Sequence, residues 1–394
     1  MIVQLSAASI RRLASALAGT LSATALAAGA QSAPPQIPLC EGLTIVTAIH
    51  ERDGDYESIK TIESIDSKTV RIKYSAERRK QDFLDTGPPQ LEKVTLHRSV
   101  RREDLAHATL YQQQFADILP DTIPRTTSIG TSTAVWRALK GPGSTEFGIF
   151  IPYSQASESL DRNVHPNVYD NQMVAEIRRV ERTPVMLPVL VDDSPEQLPA
   201  LHAAGNFFGD ETELYFLDDP DNPITLEYRF GTRPSSHDSA GAAASGPTEK
   251  DRLQVTKISR RCKAPGPSEG AEAAALERSL AAGRAEIYDI YFSFNSDQIR
   301  EESEPSLNAI ALVLGRHPEW RLRVTGHTDN IGGDPYNLTL SKNRAAAVRS
   351  ALIARYHINA SRLTADGLGA SSPQDTNDTL EGRARNRRVE LIRQ

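Results

Sequence analysis

Cysteine is scarce in this sequence: two in 394 residues, alongside three methionines, two tryptophans and an aromatic content of 6%. So few thiols exclude a cysteine-based zinc or iron–sulfur centre, which needs clustered thiolates. The nine histidines are scattered, and no His-Glu-x-x-His or Cys-x-x-Cys pattern exists. His317 and His327 are accordingly expected to be surface and loop residues rather than metal ligands, and no cofactor is expected. An excess of positive charge is also missing. Lys and Arg number 45 against 51 Asp and Glu, for a formal net charge of −6, which argues against a nucleic-acid binder. From Ile287 onward the balance is fourteen basic to thirteen acidic residues. The basic run Arg383, Arg385, Arg387, Arg388 therefore reads as an ion-paired, solvated face rather than a phosphate site. Beyond the N-terminus, no stretch approaches the length of apolar sequence needed for a transmembrane helix.

Catalytic constellations are equally sparse. Asp85-Thr86-Gly87, after Phe83-Leu84, matches the core triplet of aspartic proteases. No second copy supplies the partner carboxylate that this chemistry requires, and Pro88 stands where Ser or Thr is usual, so a turn before Pro88-Pro89 is the expectation. Gly141-Pro142-Gly143-Ser144 lacks the flanks of a nucleophile elbow or a phosphate loop.

What is present divides the chain into four. Residues 1–30 read as a cleaved export signal: Arg11 and Arg12 precede an Ala- and Leu-rich run from Leu13 to Leu26, with small-x-small cleavage sites at Ala25–Ala27 and Ala28–Ala30. Bulky Leu39 before Cys40 argues against lipidation. In an oxidising compartment, Cys40 and Cys262, near the two ends of one segment, are expected to form a disulfide. Residues 31–263 read as a β-rich domain of unknown function. Its expected strands are Leu43–His50, Tyr56–Ile65, Thr69–Tyr74, Thr145–Ile151, Met186–Val191 and Leu253–Ser259, with a hairpin from Leu214–Leu217 and Ile224–Phe230. Short helices are expected at Arg102–Phe115 and Gln197–Ala203, and a floppy loop at Gly231–Lys250. The mixed polar faces and charged turns suit a soluble domain better than an outer-membrane barrel. Residues 264–286 read as a linker with one short helix over Ala271–Leu280.

The most informative stretch is Gly326–Val348, GHTDNIGGDPYNLTLSKNRAAAV. A strand ends at Gly326, a Gly-rich loop carries Asp329, and Pro335 marks a helix start. Apolar residues recur at helical spacing from Leu340 to Tyr356. Asp329 in the loop and Arg344 early in the helix suit a small zwitterion: the carboxylate takes its ammonium and the guanidinium takes its carboxylate. The flanking segments IYFSFNSDQI (Ile290–Ile299), RLTADGLGASSP (Arg362–Pro373) and NDTLEGRARNRRVEL (Asn377–Leu391) complete a four-part pattern.

That pattern resembles the OmpA-like C-terminal domain, the peptidoglycan-binding module of bacterial envelopes, over about residues 287–394. The residues read as strand Ile287–Phe294, helix Glu304–Arg316 with Pro305 in its first turn, strand Arg321–Thr325, helix Asn337–Tyr356, and strands Leu363–Leu368 and Arg387–Ile392. The resemblance implies an α+β fold, this β-α-β-α-β-β sandwich following the β-rich region. It also implies non-covalent binding of the diaminopimelate of the peptide stem by Asp329 and Arg344, with Asn337, Leu340 and Arg388 lining or supporting the pocket. Gly326, Gly367, Gly369 and Gly382 are expected at turns. The functional expectation is a non-enzymatic periplasmic protein, associated with the outer membrane, that anchors its N-terminal domain to the wall. That domain would face an outer-membrane or periplasmic protein partner. The alternative is a wall-targeted hydrolase or protease whose active site lies in residues 31–263. Oligomeric state is not legible.

Overall fold

Alternation of apolar and polar residues sets the first strands. In β3 (Thr69–Arg79), which follows β1 (Leu43–Glu51) and β2 (Gly54–Ile65), Val70, Ile72, Tyr74 and Ala76 are fully buried on one face. The turn into β3 is made by Asp66, whose carboxylate accepts from the amides of Lys68 at 2.6 Å and Thr69 at 2.7 Å. The computed structural model describes residues 34–51, 54–79, 91–113, 115, 119–150, 172–207, 209–231, 251–262 and 269–394. The export signal, Asp85-Thr86-Gly87, nearly all of the Gly231–Lys250 loop and the start of the expected linker lie outside the described residues.

An antiparallel meander continues from β3 into β4 (Leu91–Arg101). After α1 (Arg102–His107) come β5 (Leu110–Tyr111), β6 (Thr126–Thr127), α2 (Thr133–Lys140), β7 (Ser144–Phe150) and β8 (Gln172–Arg179). Then follow β9 (Val185–Val191), β10 (Ser194–Phe207), β11 (Asp210–Leu217), β12 (Thr225–Phe230) and β13 (Asp251–Arg260). Strand β9 pairs antiparallel with β10 and parallel with β13, so β9, β10, β11, β12 and β13 close on themselves. Closure removes edges from that part of the sheet. The β4-β3-β2-β1 meander extends from β13, and β8-β7-β5-β6 extends from β10.

The expected strands and the β11–β12 hairpin are present. Two expected helices differ. The helix at Arg102 stops at His107, because Ala108 is extended and Leu110–Tyr111 joins the sheet. Gln197–Ala203 is strand, not helix. Its apolar content reads equally as a short buried helix, but Pro199 has no amide for helix-interior bonding, and Leu198, Ala200, Leu201 and Ala203 are buried on both faces of β10. The β9–β10 turn is a two-residue Asp192-Asp193 connection with both residues at positive φ, 48° and 62°.

Cys40 and Cys262 are joined by a disulfide, with Cα atoms 5.3 Å apart. The bond sits where Leu43 of β1 pairs with Arg260 of β13, so it fastens the two ends of the β-rich region where they already meet.

The C-terminal region begins with α3 (Glu269–Ala281) and β14 (Arg284–Ile287), then α4 (Glu304–Arg316), β15 (Leu322–His327) and α5 (Asp334–Tyr356). It ends with β16 (Leu363–Gly369), α6 (Leu380–Asn386) and β17 (Val389–Arg393). The sheet order is β14-β17-β15-β16, with β15 and β16 parallel and the other pairs antiparallel. Helix α3 falls in the expected linker, yet its Ala273 and Leu280 are fully buried in one core with Leu307, Ile310 and Leu322. That stretch is packed rather than loose.

The first C-terminal strand is shorter than the expected Ile287–Phe294. Beyond Ile287, backbone amides are taken by side chains: Tyr288 donates to Asp193 at 3.2 Å and Tyr291 to the Ser303 hydroxyl at 2.8 Å. Asp193 lies in the β9–β10 turn, so these bonds join the two regions. Further bonds do the same. Lys257 Nζ donates to the Tyr288 carbonyl at 2.7 Å, Ser259 Oγ to Asp289 at 2.5 Å, and Arg261 pairs with Asp289 at 3.1 Å. Residues Pro34–Gln394 thus form one compact unit.

Removing the disulfide should lower unfolding free energy substantially, because it closes a loop of 222 residues. Unfolded-chain entropy sets a ceiling of about 5 kcal/mol. Chemical denaturation of a Cys40→Ala/Cys262→Ala variant against the oxidised protein measures the loss.

Candidate functional site

Helix α5 can approach the sheet closely only because β15 and β16 carry glycine where it crosses. A Cβ at Gly326 would lie 2.3 Å from the Ser341 carbonyl oxygen, and one at Gly367 would lie 2.3 Å from the Lys342 amide nitrogen. These two glycines are therefore contact points for the helix, not turn residues as the sequence suggested. Ser341 completes the contact by accepting from the Gly369 amide at 2.9 Å. Asn337, Leu340 and Arg344, at i, i+3 and i+7, share the adjoining face of α5.

This geometry brings Asp329, Asn337 and Arg344 together. Asp329 Oδ1 accepts from the Ile331 amide at 3.0 Å, which shapes the loop. Buried Asn337 ties that loop to the helix by donating to the Asp329 carbonyl at 3.1 Å. Arg344 donates from Nε to the Ser296 carbonyl at 3.0 Å, and its guanidinium lies over the Phe292 ring at 4.9 Å. It pairs with no carboxylate among the described residues. Burial and the nearby Arg387 push its pKa down to about 10, against the opposing pull of Asp329. An ionised guanidinium held this way, with no anion of its own, is disposed to accept one.

Arg388 does not join them. It is buried, donates to the Ser372 carbonyl at 3.2 Å and lies 3.7 Å from Glu286. Its neighbour Arg387 takes the place beside Asp329, with Nη1 donating to Oδ2 at 2.7 Å. Adjacent residues entering a strand point to opposite sides, so only one of the pair could face the loop. Leu340 is half-buried on the shared helix face. His327, expected in a loop, is a buried strand-end residue whose pKa burial and Arg388 hold down at about 4.

Three contributors escaped sequence reasoning. Asn386, fully buried, accepts from the amides of Gln374 and Asp375 and donates to Asn377 at 2.9 Å; Asn377 in turn accepts from the Asn330 amide at 3.2 Å. This relay positions the Asp329 loop. Arg387 is the second, visible in sequence only as one member of the basic run. The third comes from the β-rich region: Glu57 of β2 forms an ion pair with Arg387. Burial alone would raise the Glu57 pKa, but Arg387, Lys257 and Arg300 outweigh it and hold the carboxyl at about 2. Arg387 is shifted upward because the two carboxylates it bridges outweigh its own burial.

Residues 291–387 match the OmpA family. The C-terminal segment is an OmpA-family domain. Outer membrane porin F of Pseudomonas aeruginosa is 41% identical over 102 residues, covering 26% of this chain and 29% of that protein. Peptidoglycan-binding protein ArfA of Mycobacterium bovis is 34% identical over 164 residues, covering 41% and 49% respectively. Among solved structures, the peptidoglycan-associated lipoprotein from Burkholderia pseudomallei is 31% identical, covers 29% of this chain and 93% of its own, and has a TM-score of 0.26. The alignments span less than a third of the porin and about half of the mycobacterial protein. The OmpA-family domain contributes Asp329, Asn337, Arg344 and Arg387 to the site, and Glu57 lies outside it.

Two outcomes test this arrangement. Gly326→Ala should reduce stability by about 1–3 kcal/mol, read by urea denaturation, since the helix must shift to admit the methyl group. Glu57, with its folded pKa depressed, contributes stability that is complete above its ordinary value of 4.5 and is lost as pH falls toward about 2. The stability gap between wild type and Glu57→Gln should therefore be wide near neutrality and narrow by about pH 3 in matched denaturation curves.

Proposed function

We propose that this chain is a non-enzymatic envelope protein whose OmpA-family domain binds peptidoglycan non-covalently, through the diaminopimelate of the peptide stem. Within a stem, the free end of that residue carries one ammonium and one carboxylate. Arg344 is the group for the carboxylate and Asp329 the group for the ammonium, with Asn337 and Leu340 supporting the pocket. The observation that carries the reading is Arg344: a half-buried guanidinium beside Asp329, anchored by a carbonyl and an aromatic ring, with no carboxylate partner among the described residues.

Exposed Ile331 and Tyr336, in the loop and the first turn of α5, give the rim apolar surface for the rest of a polymer strand. The similarity to an outer-membrane porin and to a peptidoglycan-binding protein supports an envelope location. In this reading residues 1–30 direct export, the protein works in the periplasm next to the outer membrane, and binding holds the β-rich region at the wall. That region offers its surface to an outer-membrane or periplasmic protein.

Co-sedimentation of the mature protein with purified sacculi tests the proposal. Wild type should pellet. Folded Asp329→Ala and Arg344→Ala, checked by thermal melts, should each bind roughly tenfold or more weakly, the loss expected for a charge-assisted hydrogen bond. Equal pelleting by all three would reject the site.

A further inference from the structure

The site described above is built from two regions of the chain, and its charge balance depends on the second. Within the OmpA-family domain alone, Asp329 is neutralised by Arg387, and Arg344 remains as net positive charge. A pocket of that composition prefers a plain anion. Glu57, reaching across from β2, pairs with the other side of the Arg387 guanidinium. Asp329, Arg387 and Glu57 together then carry one net negative charge, opposite the single positive charge of Arg344. This is the charge pattern of a zwitterion's complement.

The other cations facing Glu57 do not upset the balance. Arg300 is paired with Glu302 at 3.4 Å, and Lys257, which also faces Glu57, has Asp289 as a second carboxylate and donates to the Tyr288 carbonyl at 2.7 Å. The position of Glu57 is itself fixed. It lies in the β1–β2 ladder opposite Ala48, and its strand neighbour β3 is fastened to the C-terminal region by Lys73 with Glu301 and by Ser75 with Arg300 at 2.8 Å.

We infer that Glu57 is a specificity-determining residue contributed by the β-rich region, which makes the pocket select a ligand end bearing both an ammonium and a carboxylate over one bearing a carboxylate alone. The inference rests on the peptidoglycan reading. Glu57 acts by leaving Arg387 only partly available to Asp329, so that the Asp329 carboxylate keeps the negative character needed to receive an ammonium. A structural role alone would alter binding of all ligands in parallel, whereas this role alters preference.

The test is calorimetric titration of the mature full-length protein with meso-diaminopimelate and with pimelate, the same carbon chain without its amino groups. Wild type should prefer diaminopimelate. Glu57→Gln should lose roughly tenfold of that preference, the change expected from removing one charge a few ångströms from a partly shielded site. Glu57→Ser serves the same purpose should the Gln variant be unstable. Lys73→Gln, which breaks a different ion pair across the same junction, is the structural control: it should change affinity for both ligands in parallel and leave their ratio unchanged. An unaltered diaminopimelate-to-pimelate ratio in Glu57→Gln would overturn the inference, as would an equal fall in affinity for both ligands. The two readings fail separately. If wild type pellets with sacculi and Asp329→Ala does not, yet Glu57→Gln keeps full preference, only the role of Glu57 is lost. If Asp329→Ala and Arg344→Ala bind like wild type, the underlying site is lost.

Discussion

The crossing of α5 over β15 and β16 is the contact on which the C-terminal arrangement depends. Two glycines on adjacent parallel strands let a helix backbone lie against strand backbone, with Ser341 bonded into the sheet. Such contact permits little sliding or rolling, because backbone atoms meet without side chains to repack. Arg344 is one turn beyond Ser341 and Asn337 one turn before it. The separation of the loop carboxylate from the helix guanidinium is thereby set by main-chain packing, not by flexible side chains. The proposed role, receiving both ends of a small zwitterion, would gain from that rigidity, since little ordering would remain to be done when a ligand arrives.

A second constraint joins the halves. Arg387 bridges a carboxylate of its own domain and one of the β-rich region, and Lys257 and Ser259 of β13, with Arg261 just beyond it, reach the segment from Tyr288 to Asp289. The junction is polar and dense in charge, and its groups are mutually compensated. Buried ion pairs of this kind add little net stability relative to apolar packing, but breaking one side leaves the other uncompensated. They therefore fix relative position more than they increase stability. The short helix expected within the linker is α3, and it is packed in the C-terminal core.

Much of this was legible in the sequence where local signals and packing agree. The α4 helix, Glu304–Arg316, was bounded by Pro305 at its first turn and a clear apolar stripe, and both ends match. Alternation of Val70, Ile72 and Tyr74 located β3, and the turn residues Asp218–Pro223 marked the β11–β12 hairpin. Legibility failed where long-range pairing decides. Gln197–Ala203 is apolar on both faces because β10 is flanked by β8, β9 and β11, which its own composition cannot reveal. The segment after Ile287 carries strand-forming residues, but its amides are claimed by Asp193 and Ser303 from elsewhere in the chain.

The site shows the same division. Asp329, Asn337 and Arg344 could be named because loop and helix place them by local rules. Arg387 and Arg388 could not be told apart, since the choice depends on which face of β17 meets the Asp329 loop. Glu57 was beyond reach altogether, for it sits 272 residues before Asp329 in the sequence, within a strand whose local pattern carries no sign of the C-terminal domain. Its partner is a guanidinium that already holds a carboxylate, so nothing in the local composition of the OmpA-family domain signals a missing charge. Only the sum over both regions does: two carboxylates on Arg387, and Arg344 with none. Under the proposed zwitterion reading, the pocket draws one of its two carboxylates, Glu57, from outside the OmpA-family domain.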